Sequence, residues 1–316
     1  MIILLGGSGY VGEAFKKELR ARKIRFFAPT RKALDYTNYS KLLKLLKKRK
    51  PDFVINAAGY TGKPNIDACE LNWADTLLGN VVLPTTIAEV CQTENIPWAH
   101  ISSGCIYNGT KISRNGKTVI EKNLNKPEIR SIIENSPEKI RGFNEKDTPN
   151  FSFRNGPCSF YSGTKALAEE ILLKNSGKVY ILRLRVPFDE FDNNRNYLSK
   201  IQRYSKVYNN TNTLSHLGDF VKASLDLWKI GAPYGIYNIA NPGFITTKKV
   251  VEMVEKTLRP KKKLIFWKND KEFYSKIAKT PRSNCILDVS KLLKTGVKIR
   301  TVEEALIESL SNWHKE

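Results

Sequence analysis

Residues 1–12 have the sequence MIILLGGSGYVG, a short apolar run that leads directly into a turn with glycines at positions 6, 9 and 12. An amphipathic segment follows to about Arg22, so the pattern predicts a strand, a glycine turn and a helix. Such glycines allow a tight turn, close approach of the backbone to a pyrophosphate and close packing of helix on strand. We therefore expect a dinucleotide at this turn, held by Gly6, Ser8, Gly9, Tyr10, Val11 and Gly12.

The segment after the second predicted strand indicates which dinucleotide binds. Residues 24–28 form that strand, and residues 29–32 (PTRK) follow without the acid that would bind a ribose 2′-hydroxyl. Arg31 and Lys32 suit a 2′-phosphate instead, which favours NADPH over NADH, and Asp35 is expected near the adenine. The backbone after the third predicted strand should also pass close to the cofactor, at Asn56, Ala57, Ala58 and Tyr60.

The order of the later apolar runs predicts the rest of the fold. Runs at residues 52–58, 98–102, 179–184 and 236–239 alternate with helical segments, which indicates an α/β protein with a Rossmann-like, doubly wound parallel sheet. Ligands would bind at the carboxyl ends of the strands. The boundaries we expect are a cofactor-binding domain at 1–185, with 205–240 returning to it, and a smaller substrate-binding lobe at 186–204 and 241–316. The polar stretch 109–150 predicts a long insertion or a flexible loop beside the site.

Tyr161 and Lys165 are the first candidates for chemistry. They lie four residues apart, on and just before a predicted helix over residues 164–174, so they would share one face. A phenol has a pKa near ~10, and a fixed cation nearby would lower it, which would make Tyr161 a general acid for a carbonyl oxygen. This spacing alone is common on solvated helix faces. Its place at the same predicted sheet edge as Ser103 favours the catalytic interpretation.

The composition narrows the classes of function. With 316 residues, 41% of them hydrophobic, and no apolar run of membrane-spanning length, we expect a folded cytoplasmic protein without a membrane partner. The five cysteines form no CxxC pair and the three histidines are scattered, which predicts reduced thiols and no metal site. The net charge of +22 would allow nucleic-acid binding, but the basic residues are spread along the chain, so we expect no nucleic-acid partner.

Several motifs carry a resemblance to a known family. The order Gly6-x-x-Gly9-x-x-Gly12, Asn56-Ala57-Ala58-Gly59, Ser103 and Tyr161-x-x-x-Lys165 resembles that of extended short-chain dehydrogenases/reductases. Other stretches are similar to one subgroup, the plant-type bifunctional 3,5-epimerase/4-reductases of UDP-L-rhamnose synthesis, at residues 56–67, 104–107, 142–151, 182–187, 194–197, 200–204, 241–243 and 282–284. The resemblance implies a nucleotide-sugar substrate, UDP-4-keto-6-deoxy-D-glucose, and NADPH-dependent reduction after epimerisation.

The resemblance also implies roles for individual side chains. Cys105 and Lys200 would exchange the protons at C3 and C5, and burial would have to lower the pKa of Lys200 for it to cycle. Tyr161 would protonate the C4 oxygen, with Lys165 tuning it and Ser103 hydrogen-bonding the carbonyl. The substrate would be held by Thr61, Ser103, Cys105, Arg195, Asn196, Arg282 and Asn284.

Other interpretations stay open. A dTDP-4-keto-L-rhamnose reductase would keep the tyrosine and the lysine without needing Cys105 or Lys200, and an enzyme like GDP-fucose synthase would also epimerise and reduce. A non-catalytic NADP-binding regulatory subunit would need none of the reduction residues. A homodimer is compatible with the sequence. Two features depart from the subgroup, since Ser103 stands where it has threonine and residues 109–141 exceed the length of its loop.

Overall fold

The computed structural model describes residues 1–114, 116–175, 177–260 and 263–314. Its strands are β1 (Ile2–Leu5), β2 (Phe26–Phe27), β3 (Phe53–Asn56), β4 (Trp98–Ser103), β5 (Thr110–Arg114), β6 (Lys117–Glu121), β7 (Ile140–Arg141), β8 (Val179–Leu184), β9 (Pro187–Phe188), β10 (Thr211–Asn212), β11 (Ser215–His216), β12 (Gly235–Asn238) and β13 (Ile245–Thr246). Its helices are α1 (Tyr10–Ala21), α2 (Tyr39–Arg49), α3 (Trp73–Leu77), α4 (Leu83–Thr93), α5 (Pro127–Asn135), α6 (Phe160–Asn175), α7 (Tyr197–Arg203), α8 (Leu217–Lys229), α9 (Thr247–Leu258), α10 (Asp270–Lys276), α11 (Ser290–Lys294) and α12 (Val302–Ser311). Short 3-10 turns cover Ile66–Glu70, Gly104–Ile106 and Pro137–Lys139, and a π-helical turn covers Leu78–Val82.

The central sheet has six strands in the order β12-β8-β4-β3-β1-β2, and every adjacent pair is parallel. All four residues of β1 are buried, because helices cover both faces of the sheet, as is usual for parallel sheets. On one face Phe15 of α1 packs edge-on against Phe220 of α8. On the other face α2, α4 and α6 supply the apolar layer. The predicted α/β fold with a doubly wound parallel sheet is confirmed.

Four neighbouring strands bring the predicted site residues to one edge of this sheet. β1 ends at Leu5, directly before the glycine turn, and β3 ends at Asn56. β4 ends at Ser103, and β8, its other neighbour, ends at Leu184. Since parallel strands point the same way, the segments that follow all four strands meet at the carboxyl edge, where doubly wound folds bind ligands.

The segment from Thr110 to Arg141 is a folded insertion, so the expectation of a flexible loop is wrong. β5 pairs in antiparallel fashion with both β6 and β7, and α5 follows β6. The apolar side chains are few, but they are spaced so that they line one side, and they form a core of their own: Ile112, Leu124, Ile129, Ile133, Ile140 and Ile286. A unit this small needs only one apolar face, which a low apolar content can still supply.

Backbone hydrogen bonds join this insertion to the C-terminal part of the chain. The amide of Gly109 donates to the carbonyl of Asn284 at 2.7 Å, and the amide of Ile286 donates back to Gly109 at 3.2 Å. Phe143 continues the pattern, since it donates to Ile286 at 2.9 Å and accepts from Asp288 at 2.8 Å. The insertion is therefore fixed to the segment that contains the predicted substrate residue Asn284.

A second apolar core lies outside the central sheet. β9 pairs with β11, and β10 pairs with β13. The helices α7, α9 and α12 pack together through side chains that include Phe188, Leu198, Val250, Val254 and Leu306. Within the described ranges, no helix combines the length and the apolar character needed to cross a membrane. The same residues contain no group of three or more His, Cys, Asp or Glu side chains that could hold a metal ion.

Candidate active site

The glycine turn after β1 makes two very close backbone contacts. Gly6 has a φ of +77°, and a Cβ there would lie 2.4 Å from the amide nitrogen of Ala58. A Cβ at Gly12 would lie 2.1 Å from the carbonyl oxygen of Gly6. Only glycine fits either position, so the turn packs directly against the backbone that follows β3.

The N-terminus of α1 is open to an anion. No side chain caps the helix at Gly9, and the first amides of a helix have no partner within it. Tyr10 and Val11 supply the first of these N–H groups, while Ser8 and Gly9 are exposed. Unpaired amides at the positive end of a helix fit a pyrophosphate, so the turn can hold the diphosphate of a dinucleotide.

Arg31 and Asp35 lie on the exposed segment after β2, together with Lys32. The guanidinium of Arg31 lies 5.8 Å from the centroid of the Tyr36 ring. Asp35 accepts hydrogen bonds from the hydroxyl of Thr37 at 2.5 Å and from its amide at 3.1 Å, and these bonds lower the pKa of the Asp35 carboxyl. The two basic side chains are therefore exposed to a ligand, whereas the carboxylate is engaged by its own turn.

Asn56 and Asn80 fix the backbone between the glycine turn and α6. The side-chain oxygen of Asn56 accepts the amide of Ala58 at 3.0 Å, which shapes the turn through Ala57. Asn80 accepts the amide of Tyr60 at 2.8 Å, donates to its carbonyl at 2.8 Å and donates to a hydroxyl of α6 at 3.2 Å. Asn80 was not among the predicted site residues. The π-helical turn that contains it is typical of functional segments, but it is visible only in the structure.

Tyr161 and Lys165 share the first turns of α6, and both are buried, with exposed fractions of 8% and 4%. The ammonium of Lys165 donates to the carbonyl of Ile101 at 3.2 Å, and burial lowers the pKa of Lys165 to about 8. Burial also raises the pKa of Tyr161, Cys105 acts in the same direction, and a hydrogen bond with Ser103 opposes them. The predicted lowering of the Tyr161 pKa is therefore wrong, because loss of water outweighs nearby charge.

Ser103, Cys105 and Arg185 meet where β4 and β8 end. The hydroxyl oxygen of Ser103 accepts the amide of Cys105 at 3.1 Å, and Cys105 is half-buried on the 3-10 turn that follows. The Nη1 of Arg185 donates to the Cys105 sulfur at 3.0 Å. Its Nη2 donates to the carbonyl of Ser283 at 2.7 Å and to the side-chain oxygen of Asn212. Arg185 was not among the predicted site residues, because its contact with Cys105 joins parts of the chain that are distant in sequence.

A buried ion pair joins α6 to β8. Glu169 and Arg183, with exposed fractions of 3% and 2%, share three hydrogen bonds of 2.7 to 3.1 Å. Ser102 donates its hydroxyl to Glu169 at 2.5 Å, and Arg183 also donates to the hydroxyl of Tyr107 at 3.1 Å and to the side chain of Asn238 at 3.4 Å. These bonds hold the helix that carries the tyrosine–lysine pair against the sheet.

Both predicted substrate arginines reach the loop after β3. Arg195 donates to the carbonyl of Gly62 at 2.7 Å, and Arg282 donates to Asp67 at 2.6 Å. Among the described residues, Nη1 of Arg282 and Oδ1 of Asp67 find no partner although both atoms are buried. An unpaired buried donor and acceptor are costly, so both are suited to a polar ligand. Thr61, on the same loop, is exposed.

Asn196 is fully buried, and local structure occupies its side chain. Its oxygen accepts the amide of Leu198 at 2.9 Å, which caps α7, and its nitrogen donates to Asp189 and to the carbonyl of Phe191 at 2.7 Å. Both of its amide hydrogens are used by these neighbours, so the expected contact of Asn196 with substrate is replaced by a capping role. Asn284, in contrast, is half-buried.

Lys200 lies half-buried on α7. Burial lowers the pKa of Lys200, and the charge of Arg195 adds to the effect. This is the direction required of a lysine that exchanges protons near neutral pH, and the catalytic role of Lys200 stays a prediction.

The family described as the RmlD substrate binding domain matches residues 1–314. A bifunctional dTDP-4-dehydrorhamnose 3,5-epimerase/dTDP-4-dehydrorhamnose reductase from Arabidopsis thaliana is 32% identical over 308 residues, which are 97% of this chain and 91% of that protein. A trifunctional UDP-glucose 4,6-dehydratase/UDP-4-keto-6-deoxy-D-glucose 3,5-epimerase/UDP-4-keto-L-rhamnose-reductase from the same plant is 35% identical over 271 residues. That match covers 85% of this chain but 36% of the plant protein, so the chain spans only part of it.

Solved structures share the whole fold at low identity. The L780 UDP-rhamnose synthase from Acanthamoeba polyphaga mimivirus has a TM-score of 0.81 at 22% identity, over 98% of both chains. A dTDP-4-dehydrorhamnose reductase from Bacillus anthracis, in complex with NADP, has a TM-score of 0.75 at 18% identity, over 99% of this chain and 97% of that one. These two likenesses bear on the fold alone. Since the family model covers residues 1–314, the chain belongs to the RmlD substrate binding domain family.

Proposed function

We propose that this chain first exchanges the protons at C3 and C5 of UDP-4-keto-6-deoxy-D-glucose and then reduces its C4 carbonyl with NADPH, which yields UDP-L-rhamnose. The observation that carries the proposal is that two acid–base groups meet at one sheet edge. Tyr161 is buried on α6 beside Lys165, and Cys105 lies on the turn after Ser103. Membership of the family supports a reductase of rhamnose synthesis, and the names of both plant relatives support the epimerase.

The cofactor of this reaction is NADPH. When bound, it supplies the hydride that adds to C4. The uncapped N-terminus of α1 suits its diphosphate, and the exposed Arg31 and Lys32 suit its 2′-phosphate. NADH lacks that phosphate and would leave the two basic side chains without a ligand.

Tyr161 protonates the C4 oxygen as the carbonyl is reduced. Its raised pKa keeps the phenol protonated and able to donate. The hydroxyl of Ser103 stabilises the negative charge that develops on the same oxygen. Lys165, with a pKa of about 8, lies one helical turn away and can return a proton to the phenolate.

Cys105 is the base for proton exchange at C3 and C5, and Lys200 is the acid. The sulfur of Cys105 receives a hydrogen bond from a guanidinium, which favours the thiolate form that removes protons. The lowered pKa of Lys200 allows it to give and regain a proton near neutral pH. Epimerisation requires a proton to leave one face of the ring and another to arrive on the opposite face, which needs two such groups.

Arg195 and Arg282 are the proposed contacts to the diphosphate or the sugar, with Thr61 and Asn284 beside them. The unpaired Nη1 of Arg282 supports this assignment, because a guanidinium binds phosphate oxygens with two parallel hydrogen bonds. Asn196 is left out of the set, because its side chain caps α7.

Reduction without epimerisation, on a dTDP sugar, is the second candidate function. A relative at 25% identity, from Aggregatibacter actinomycetemcomitans, is a dTDP-4-dehydrorhamnose reductase. The contact between Arg185 and Cys105 favours the bifunctional alternative, because a reductase alone gives this thiol no chemical task.

The test is incubation with UDP-4-keto-6-deoxy-D-glucose and NADPH in heavy water, followed by NMR of the sugar. UDP-L-rhamnose with deuterium at C3 and C5 is the expected product. Reduction of dTDP-4-keto-L-rhamnose without deuterium entering any 4-keto sugar would favour the second candidate. NADPH left unoxidised by both UDP-4-keto-6-deoxy-D-glucose and dTDP-4-keto-L-rhamnose, with no deuterium in either sugar, would contradict both functions.

A further inference from the structure

Arg185 carries a buried positive charge that no carboxylate among the described residues neutralises. It is 2% exposed, and none of its hydrogen bonds to the described residues reaches Asp or Glu. Its guanidinium instead contacts a thiol at Cys105, an amide oxygen at Asn212 and a backbone carbonyl at Ser283, while its Nε is buried without a partner among them. Burying a guanidinium without an anion is costly, so the fold retains this charge against a strong penalty.

Arg183, only two residues earlier, shows the usual solution to the same problem. It is equally buried, but Glu169 gives it three hydrogen bonds and a full negative charge. Within the described part of the chain, one buried arginine therefore has a carboxylate partner and the other has none. Among the described hydrogen-bond partners of the Arg185 guanidinium, the group that can become an anion is the sulfur of Cys105, at 3.0 Å from Nη1.

The titratable groups that face Cys105 come from several elements. Arg185 follows β8, Lys165 and Tyr161 lie on α6, and Cys285 lies on the C-terminal segment that also contacts Arg185. Burial raises the pKa of both Tyr161 and Cys285, which keeps them neutral, and Cys285 donates its S–H to a backbone carbonyl. Two cations thus face the sulfur of Cys105, and no carboxylate is among these neighbours.

We propose that Arg185 is a positioning residue that holds Cys105 as a thiolate and aims it at the substrate. The inference rests on the proposed function, because it names the residue that keeps Cys105, the proposed base of the epimerase, in its thiolate form. Hydrogen bonds from Arg185 to Asn212 and Ser283 fix the plane of the guanidinium. The Nη1 group that donates to the Cys105 sulfur is therefore held in position.

The proton exchange that follows is balanced without any oxidant or reductant. The thiolate of Cys105 takes the proton from C3 or C5, so a C–H bond breaks, an S–H bond forms and the electron pair moves to the C4 oxygen as an enolate. The ammonium of Lys200 then gives a proton to the same carbon from the opposite face, and the C4 carbonyl reforms. The thiol returns its proton through solvent to the amine, which restores both groups.

The first experiment measures the thiolate directly and needs no sugar. Wild type, Arg185→Gln and Arg185→Lys are alkylated with iodoacetamide over a range of pH, and the peptide that contains Cys105 is quantified by mass spectrometry. We expect Arg185→Gln to slow alkylation of Cys105 about tenfold near neutral pH, with partial rescue by Arg185→Lys. An unchanged profile in Arg185→Gln would overturn the inference.

Cys158 is an internal control in the same digests. It is half-buried like Cys105, but burial raises its pKa, and no cation contacts it among the described residues. Should Arg185→Gln fail to fold, wild type alone still decides, since Cys105 must react at least about tenfold faster than Cys158 near neutral pH. Equal rates for the two cysteines overturn the inference.

Deuterium exchange separates this inference from the proposed function. Loss of exchange into UDP-4-keto-6-deoxy-D-glucose in Arg185→Gln, with NADPH binding retained, would support both. A second outcome is that alkylation of Cys105 depends on Arg185 but the wild-type protein exchanges no deuterium into the sugar. This result would support the thiolate and contradict the epimerase activity. Full exchange in Arg185→Gln would overturn the role of the arginine and leave the epimerase intact.

Discussion

Arg183 and Arg185 stand two residues apart where β8 ends, yet they belong to regions with different tasks. Arg183 and Glu169 join α6 to the sheet, and each satisfies the other. Arg185 lies just beyond the carboxyl end of β8, where its guanidinium contacts a thiol and two neutral oxygen acceptors. A neutralised pair holds structure, whereas a charge left without its anion costs stability and can stabilise an anion that forms during a reaction.

The largest effects on activity are expected for the residues proposed to act on the substrate. Tyr161→Phe should slow NADPH oxidation by about 10²–10⁴-fold and leave deuterium exchange at C3 and C5 running, because only the proton donor to the C4 oxygen is lost. Cys105→Ser should stop the exchange by a similar factor and keep reduction of an already epimerised 4-keto-L-rhamnose sugar. NADPH absorbance follows the first reaction, and NMR in heavy water follows the second. Deuterium exchange at the wild-type rate in Cys105→Ser would show that Cys105 is not the base that removes these protons.

The next largest effect is expected on the structural side. Glu169→Gln keeps the shape of the side chain but removes the carboxylate that hydrogen-bonds to the buried Arg183, so the free energy of unfolding should fall by about 3–5 kcal/mol. Urea denaturation measures the change. Glu170→Gln is the matched control, since that neighbour on α6 pairs with the exposed Arg154 and Lys174 and should leave stability almost unchanged. Equal losses in the two variants would show that burial of the pair is unimportant.

The smallest effect is expected from removing the unmatched charge. In Arg185→Met, relief of the desolvation penalty offsets the donor that Ser283 loses, while Asn212 keeps the amide of Cys285. The free energy of unfolding should therefore change by no more than about 1–2 kcal/mol in the same urea titration. A loss as large as that of Glu169→Gln would make Arg185 a structural residue and erase the distinction between the two arginines.

Local patterns in the sequence predicted the parts of the site that depend on spacing along the chain. The glycine turn at Gly6 to Gly12 and the pair Tyr161 and Lys165 follow from periodicity alone, because a strand–turn–helix unit and a helix face are set by neighbouring residues. The central sheet follows from the alternation of apolar runs with helical segments. These predictions needed no contact between distant parts of the chain.

The properties that depend on burial could not be predicted in this way. The pKa of Tyr161 is raised because its side chain is buried away from water. The spacing of Tyr161 and Lys165 in the sequence predicted a lowered pKa instead. The role proposed for Arg185 depends on its contacts with Cys105 and Asn212. Both residues are distant from it in sequence and contact it only in the folded chain. Asn196 carried the family resemblance, but its own helix start occupies it.

The backbone bonds between the insertion and the C-terminal segment have a consequence for protein engineering. The amide of Gly109 donates to the carbonyl of Asn284, the amide of Ile286 donates to the carbonyl of Gly109, and Ile286 also completes the apolar core of the insertion. The same C-terminal strip contains Ser283, whose carbonyl receives Arg185. The segment from Thr110 to Arg141 therefore cannot be shortened without an effect on the site. Trimming it to the length found in a shorter homologue would loosen the C-terminal strip that contains Ser283, and with it the guanidinium of Arg185. Redesign of this region has to retain the Gly109 junction.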